Sequence, residues 1–206
     1  MMIKICGIKT IAHARAAAEA GADMIGLNFH PPSPRCIDIE TARAIAADLP
    51  DTVLAIGLFV NQPLAAIAQT ALECGLDGVQ IHGRPEAGAL DALRNLSVIR
   101  AFSISAREHL ASLHEADADY VILDAAVPHL HGGTGTTCDW ALARAARDYT
   151  DRPIILAGGL TPDNVAQAIA QAQPDGVDVA SGVESSPGVK DTDLIRRFIE
   201  AVRQTE

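Results

Sequence analysis

Short aliphatic runs recur along the chain, and half of them follow a small or acidic residue that comes after a helical stretch. Glycine suits the left-handed conformation that ends a helix, and an uninterrupted aliphatic run is typical of a strand buried on both faces. The pattern therefore predicts eight strands. Four lie within residues 21–27, 75–81, 117–123 and 174–179, and four more lie at 3–6, 53–59, 98–102 and 154–157.

Amphipathic stretches with helical spacing fill the gaps between these strands. They predict helices at 10–20, 41–49, 63–74, 86–95, 139–147, 162–170 and 191–203, with a shorter helix at 106–114. Thr161 is the predicted N-cap of the helix that begins at Pro162, and Asp191 marks the start of the last helix.

Regular alternation of strands and helices predicts an α/β fold, a single-domain (β/α)8 TIM barrel over residues 1–206. Each strand–helix unit has about 26 residues, which is close to the minimum for such a barrel. An open, doubly wound sheet is the alternative, because alternation alone does not establish that the sheet closes.

Composition narrows the class of protein. The chain is 49% hydrophobic, 20% charged and 3% aromatic, which excludes a disordered protein and fits an aliphatic barrel interior. A formal net charge of −10 argues against a nucleic-acid or anionic-membrane partner. It does not argue against a small anionic substrate, because a few local donors decide that affinity.

No segment of the sequence predicts membrane insertion or export. The longest apolar run, at 53–60, is far shorter than the roughly 20 residues that span a bilayer. The first residues lack the apolar stretch of a signal peptide. Four separated cysteines without a CxxC pair indicate reduced thiols. We therefore expect a cytoplasmic protein.

Polar residues end several of the aliphatic runs. In a (β/α)8 barrel the active site lies at the carboxyl ends of the strands, so these residues are the candidates for chemistry. They are Cys6, Asn28, Asn61, His82, Arg100 and Asp124.

Cys6 and Asp124 are the candidate base and acid. A cysteine on a buried strand is usually a packing residue, but Cys6 lies at a strand end beside Gly7, where a ligand could approach. A thiolate base needs a lowered pKa and an electropositive setting. Asp124 directly follows four apolar residues, and a carboxyl group at a dry strand end is expected to have a raised pKa, which suits a general acid. Loop ordering or capping is the alternative role for Asp124.

Glycine-rich segments follow the sixth, seventh and eighth strands. Residues 157–162 and 180–184 offer exposed amides of the kind that bind phosphate in barrels, and residues 131–136 are suited to covering a ligand. None ends in the Gly-Lys-Ser/Thr of a P-loop.

Two further side chains are candidates for binding. Arg35 lies on a loop stiffened by prolines and is suited to holding a carboxylate, with a surface salt bridge as the alternative. His82 is a proton carrier, an orienting donor or a buried histidine, and the sequence does not rank these roles. His129 and His131 lack a third ligand at metal-site spacing, so no metal site is expected.

Taken alone, these residues favour acid–base isomerisation of a sugar phosphate, with neither a metal nor a nucleotide cofactor. The identity of the sugar phosphate does not follow from them.

The same residues carry a resemblance to a known family. In chain order the motifs are KICGI at 4–8, SPR at 33–35, GLFVN at 57–61, VQIHG at 79–83, ILD at 122–124, GGTG at 132–135, LAGGL at 156–160, and DVASGVE with PGVKD at 178–184 and 187–191. With these motifs in this order over essentially the whole length, the sequence resembles the phosphoribosylanthranilate isomerases of tryptophan biosynthesis.

The resemblance implies a cofactor-free Amadori rearrangement of N-(5′-phosphoribosyl)anthranilate to 1-(2-carboxyphenylamino)-1-deoxyribulose 5-phosphate. It implies that Asp124 is the general acid, that Cys6 is the general base and that Arg35 pairs with the anthranilate carboxylate. The implied phosphate-binding and covering residues are Gly158, Gly159, Ser181 and Gly182, with Gly132, Gly133 and Thr134 in the covering loop. His82 and Asp178 are further candidate binding residues whose roles stay open.

Two alternatives differ in what they require. A histidine-pathway aminoaldose isomerase runs a similar rearrangement, but a carboxylate pair would be expected there in place of Cys6. A catalytically silent barrel that binds a sugar phosphate would need neither Cys6 nor Asp124. The expected partner is a small phosphorylated substrate, and the sequence is equally compatible with a monomer and a homodimer.

Overall fold

The computed structural model describes residues 1–83, 93–125 and 139–206, and within them eight parallel strands close into a barrel in sequence order. The strands are β1 Met2–Cys6, β2 Met24–Asn28, β3 Leu54–Val60, β4 Gly78–His82, β5 Ser97–Ile104, β6 Tyr120–Ala125, β7 Ile154–Leu156 and β8 Gly176–Val179. Pairing of β8 with β1, with Val177 opposite Ile3, closes the ring. The barrel prediction is confirmed, and the open-sheet alternative is excluded.

Helices connect the strands on the outside. They are α1 Ile11–Ala20, α2 Ile39–Ala46, α3 Leu64–Cys74, α4 Trp140–Ala145, α5 Val165–Ala172 and α6 Thr192–Arg203. Short 3₁₀ segments occupy Arg107–Glu115, Ala146–Asp148 and Ser181–Val183, and a small hairpin pairs β9 Glu184–Ser186 with β10 Val189–Lys190. Most of the helix predicted at 86–95 lies outside the described residues.

Three predicted helices differ from the structure, and one of them is α2, which spans Ile39–Ala46 rather than 41–49. The other two follow β5 and β7. The segment after β5 is a 3₁₀ helix, and α5 begins at Val165 rather than Pro162. Asn164 explains the later start of α5, because its side chain accepts a hydrogen bond from the Thr161 amide (2.8 Å) and donates one to the Gly159 carbonyl (2.9 Å). Residues 162–164 therefore form a turn ahead of the helix. Asp191 caps α6 as predicted, accepting from the amides of Asp193 and Leu194.

Alternation along each strand separates two apolar regions. One face packs against the helices, and the other fills the barrel interior. The interior cluster consists of Met24, Ile56, Ile99, Ile122, Ile155 and Ala157. Residues further along the same inward faces, at the carboxyl ends of the strands, are the ones that meet at the site. Among the described residues, no helix is long and apolar enough to cross a membrane.

Candidate active site

A cavity of about 410 Å³ opens at the carboxyl ends of the strands. Its wall is formed by inward-facing side chains of the strand ends and by the loop that follows β2. The polar residues that line it are Cys6, Asn28, His30, Ser33, Arg35, Gln80, His82, Asp124 and Asp178. The structure thus brings together six residues that the sequence singled out: Cys6, Asn28, Arg35, His82, Asp124 and Asp178.

Cys6 lies at the end of β1 and is buried, with 5% of its surface exposed. Gly26 on the neighbouring strand makes room for it, because a Cβ at position 26 would lie 2.7 Å from the Cys6 sulfur. Burial raises the pKa of Cys6, and the ammonium groups of Lys4 and Lys190 oppose that rise only in part. The electropositive setting required of a thiolate base is present, but the lowered pKa is not.

Lys4 lies beneath Cys6 on the same face of β1, and its surface is 1% exposed. Its Nζ donates a hydrogen bond to Asp178 Oδ1 at 2.8 Å, and the two residues are direct partners in the β1–β8 register. Burial lowers the pKa of Lys4, but Asp178 and Cys6 outweigh this effect, so its pKa is raised overall. Asp178, whose role was open, therefore belongs to a buried ion pair at the floor of the cavity.

Arg35 forms a second ion pair inside the protein. Its Nε and Nη2 donate to the two carboxylate oxygens of Glu184, at 2.7 and 2.8 Å. Lys190 Nζ donates to the same carboxylate (2.9 Å) and to the Ala180 carbonyl (2.8 Å). Arg35 thus forms a salt bridge within the protein, as the alternative stated, although a buried one rather than one at the surface; that it holds a substrate carboxylate stays a prediction. Its Nη1 takes no part in these two bonds, and the residue lines the cavity.

Asp124 and His82 face the cavity from β6 and β4. Gln80, two residues before His82, lies on the same side of β4, and its Nε2 is 2.8 Å from His82 Nε2. Arg100 does not join them, although it too was a strand-end candidate. It donates to the Gly83 carbonyl (3.2 Å), and its guanidinium carbon lies 5.5 Å from the centroid of the Phe102 ring.

The glycine-rich loops after β7 and β8 enclose a smaller recess beside the main cavity. Its lining includes Gly158, Gly159, Ser181 and Asp124. Gly158 and Gly159 have φ angles of 85° and 66°, a conformation that favours glycine. The third predicted loop, with Gly132, Gly133 and Thr134, lies outside the described residues. The recess therefore unites two of the three predicted glycine-rich segments next to Asp124.

Sequence reasoning assigned no role to four residues of this region. Gln80 and Lys4 each lie two positions before a candidate, at His82 and Cys6, so strand alternation could have placed them on the same face. Glu184 and Lys190 carried no such signal, because their partner Arg35 is 149 positions from Glu184.

Comparison with known proteins decides which barrel family this is. The family described as N-(5′-phosphoribosyl)anthranilate (PRA) isomerase matches residues 3–201. The chain belongs to this family. The match confirms the resemblance and favours it over the histidine-pathway alternative.

Individual relatives match this chain along nearly their whole lengths. The chain is 46% identical to the N-(5′-phosphoribosyl)anthranilate isomerase of Geobacter sp. (strain M21) over 202 residues, which is 98% of each chain. A crystal structure of phosphoribosyl anthranilate isomerase from Thermotoga maritima is 37% identical, with a TM-score of 0.91 and 99% of each chain covered. A third relative was solved in complex with reduced 1-(o-carboxyphenylamino)-1-deoxyribulose 5-phosphate; it is 35% identical, with a TM-score of 0.87 over 99% of each chain.

Proposed function

We propose that Cys6 and Asp124 carry out the isomerisation of N-(5′-phosphoribosyl)anthranilate in tryptophan biosynthesis. Family membership makes the chain an isomerase of the intramolecular oxidoreductase type. The observation that carries the assignment of roles is that a thiol and a carboxyl group, on strands β1 and β6, line one cavity of a size suited to a small ligand.

The first step is ring opening with Asp124 as the acid. Asp124 gives its proton to the ribose ring oxygen, the bond from that oxygen to C1′ breaks, and the nitrogen lone pair forms a C1′–nitrogen double bond. Asp124 borders both the main cavity and the loop recess, so it can reach a sugar that spans the two. A raised pKa for Asp124 stays a prediction.

The second step is proton removal with Cys6 as the base. The Cys6 thiolate takes the proton from C2′, and the electron pair moves into a C1′–C2′ double bond as the iminium nitrogen is neutralised. The resulting enolamine tautomerises to the ketone by losing its hydroxyl proton and gaining one at C1′, while Cys6 gives up the proton it took and Asp124 regains the one it gave. No atoms or electrons are gained or lost overall, as an isomerisation requires.

The two anionic ends of the substrate are held by different parts of the site. Arg35 contacts the anthranilate carboxylate through the part of its guanidinium not engaged by Glu184, and the loops at Gly158–Gly159 and Ser181–Gly182 hold the phosphate. The relative bound to a reduced, phosphorylated and carboxylated product analogue supports a ligand of this kind. The free thiols among the described cysteines support a reducing compartment, and we infer the cytoplasm.

The experiment compares Cys6→Ala and Asp124→Asn with the wild type. Loss of phosphoribosylanthranilate fluorescence measures turnover. Each change should lower kcat by roughly 10²- to 10⁴-fold, because one proton-transfer group is removed. Circular dichroism should show an unchanged fold.

Cys74→Ala and Asp163→Asn are the matched controls. Cys74 packs on α3 among the outer apolar residues, and Asp163 is exposed, so both variants should turn over like the wild type. Wild-type turnover by Cys6→Ala or Asp124→Asn would refute the assignment. A wild-type protein without turnover would instead favour a barrel that only binds its ligand.

A further inference from the structure

The charged groups buried around Cys6 do not balance when the thiol is protonated. Lys4, Lys190 and Arg35 are positive, whereas Asp178 and Glu184 are negative, and these five are joined in two ion-paired groups with side chains no more than 11% exposed. Their formal charges leave an excess of +1, and Asp124 in the same cavity does not cancel it while it carries the proton that its role as the acid requires. A net charge in a low-dielectric interior is unfavourable, and a thiolate at Cys6 would cancel it.

Lys4 is the group best placed to stabilise that thiolate. Residues two apart on a strand point to the same side, so Lys4 and Cys6 both face the barrel interior. The Lys4 side chain is 1% exposed, so water does little to screen its charge. Lys190 also lowers the pKa of Cys6, but its Nζ is engaged by Glu184 and the Ala180 carbonyl.

We propose that Lys4 is a positioning residue whose charge stabilises the thiolate form of Cys6, and that the hydrogen bond it donates to the side-chain oxygen at position 178 holds the ammonium beneath the sulfur. The proposal rests on the proposed function of Cys6 as the base. Lys4 supplies the stabilisation of the thiolate that the buried position of Cys6 does not, because burial by itself favours the neutral thiol.

The remaining neighbours of Cys6 do not offer an equivalent charge. The strands next to β1 contribute Gly26 and Asn28 from β2 and Asp178 from β8, while Leu58 and Val60 of β3 are apolar. His82 and Asp124 face the cavity from β4 and β6. The titratable and charged groups that face this region are Lys4, Arg35, His82, Asp124, Asp178, Glu184 and Lys190.

The test measures the ionisation of Cys6 directly in Lys4→Met and Asp178→Asn. Each protein is alkylated with iodoacetamide across a pH series, and modification of Cys6 is followed by peptide mass spectrometry, so the other cysteines do not contribute. Methionine removes the charge of Lys4 at similar length, and asparagine keeps the shape of Asp178 and its ability to accept the hydrogen bond from Lys4.

The proposal predicts shifts of opposite sign in the two variants. In Lys4→Met the alkylation midpoint should rise by about one pH unit or more, which is a tenfold slower reaction at a fixed pH below both midpoints. In Asp178→Asn the midpoint should fall, because a negative charge near the sulfur is lost. Damage from merely breaking an ion pair would move both midpoints in the same direction, and that result would overturn the proposal.

Turnover provides the second readout. In Lys4→Met the pH at which kcat reaches half its maximum should rise by the same amount as the alkylation midpoint, with KM changing less than about threefold. Lys9→Met is the control, because Lys9 lies on the loop after β1 and donates to the Pro34 carbonyl, so its midpoint should match the wild type.

Failure of the two proposals gives different results. Activity retained in Cys6→Ala would remove Cys6 as the base, even if the alkylation midpoint of Lys4→Met still moved. An unchanged alkylation midpoint in Lys4→Met would overturn the role of Lys4, even if Cys6→Ala were inactive.

Discussion

Glu184 is the residue on which the order of one side of the cavity depends. Its carboxylate accepts hydrogen bonds from Arg35, from Lys190 and from the amide of Gly188 (3.1 Å). Desolvation raises the pKa of Glu184, but Arg35, Lys190 and Gly188 outweigh that effect, so its pKa lies below the usual value of 4.5. Glu184 thereby fixes the orientation of Arg35 before any ligand carboxylate arrives.

We predict that Glu184→Gln destabilises the protein in a pH-dependent way. A carboxylate whose folded pKa is lowered contributes stability above its unfolded pKa, near 4.5, and that contribution is lost as pH falls through the folded value. The variant should lose on the order of 3 kcal/mol at pH 7, since two buried cations lose a partner. Between pH 5.5 and 3.5 its stability should fall less steeply than that of the wild type. Urea unfolding followed by circular dichroism measures both effects.

Glu200→Gln is the control for this prediction. Glu200 is exposed on α6, so the change should stay within about 0.5 kcal/mol at pH 7. Equal slopes for Glu184→Gln and the wild type at acid pH would show that folding does not lower the pKa of Glu184, against the prediction.

Single residues of the site were predictable to different degrees. Cys6 and Asp124 end aliphatic runs, and the geometry of any parallel barrel brings such ends together. The partner of Arg35 was not predictable, because a carboxylate 149 residues away leaves no local pattern in the sequence. The net charge of −10 also gave no indication that three cations, Lys4, Arg35 and Lys190, lie buried near Cys6.

At the level of elements, the loops after β7 and β8 fit together through Gly182. A Cβ at this position would lie 1.8 Å from the Leu160 carbonyl oxygen, so any larger residue forces the two loops apart. Both loops border the recess beside Asp124. The spacing of the proposed phosphate-binding amides therefore depends on the absence of a Cβ at Gly182.

We predict that Gly182→Ala weakens binding of the phosphate end. Displacement of the loops by about 1 Å should raise KM by roughly tenfold to a hundredfold, because amide positions at this scale decide binding. Steady-state kinetics, with inorganic phosphate as a competing ligand, measure KM and the inhibition constant. Both should rise together.

Gly75→Ala is the matched control for the loss of a glycine. Gly75 ends α3 at a φ of 67°, with open space where a Cβ would lie. The change should cost about 1–2 kcal/mol in stability and leave KM unaltered. If KM were unaltered in Gly182→Ala as well, the two loops would not be the phosphate-binding elements.

The order of elements was predictable from hydrophobic pattern, but details at their ends were not. Aliphatic runs and helix caps such as Asp191 carry local signals that survive in the fold. The start of α5 depended instead on the Asn164 side chain, which bonds back to Thr161 and Gly159 and so holds residues 162–164 in a turn ahead of the helix.

At the level of the whole molecule, closure couples the two ends of the chain. β8 pairs with β1, and α6 packs against α1 and β1. Arg203 on α6 donates to the carbonyls of Met1 and Gly21, both at 3.1 Å. The sequence alone did not decide whether the sheet closes into a barrel, because a closed and an open sheet share the same alternation of strands and helices.

Because β8 pairs with β1 and the barrel has no free edge there, a substitution that disturbs α6 should weaken the entire barrel. Phe198→Ala removes a ring that is fully buried between α6 and the strands and should cost about 3–5 kcal/mol.

The single tryptophan, Trp140, lies on α4. In urea its fluorescence should change at the same lowered midpoint as far-UV circular dichroism, as expected for one cooperative domain. Arg196→Ala, at an exposed position on the same helix, should cost less than about 1 kcal/mol. Separate fluorescence and dichroism midpoints in Phe198→Ala would mean that the barrel unfolds in parts, against the prediction of a single domain.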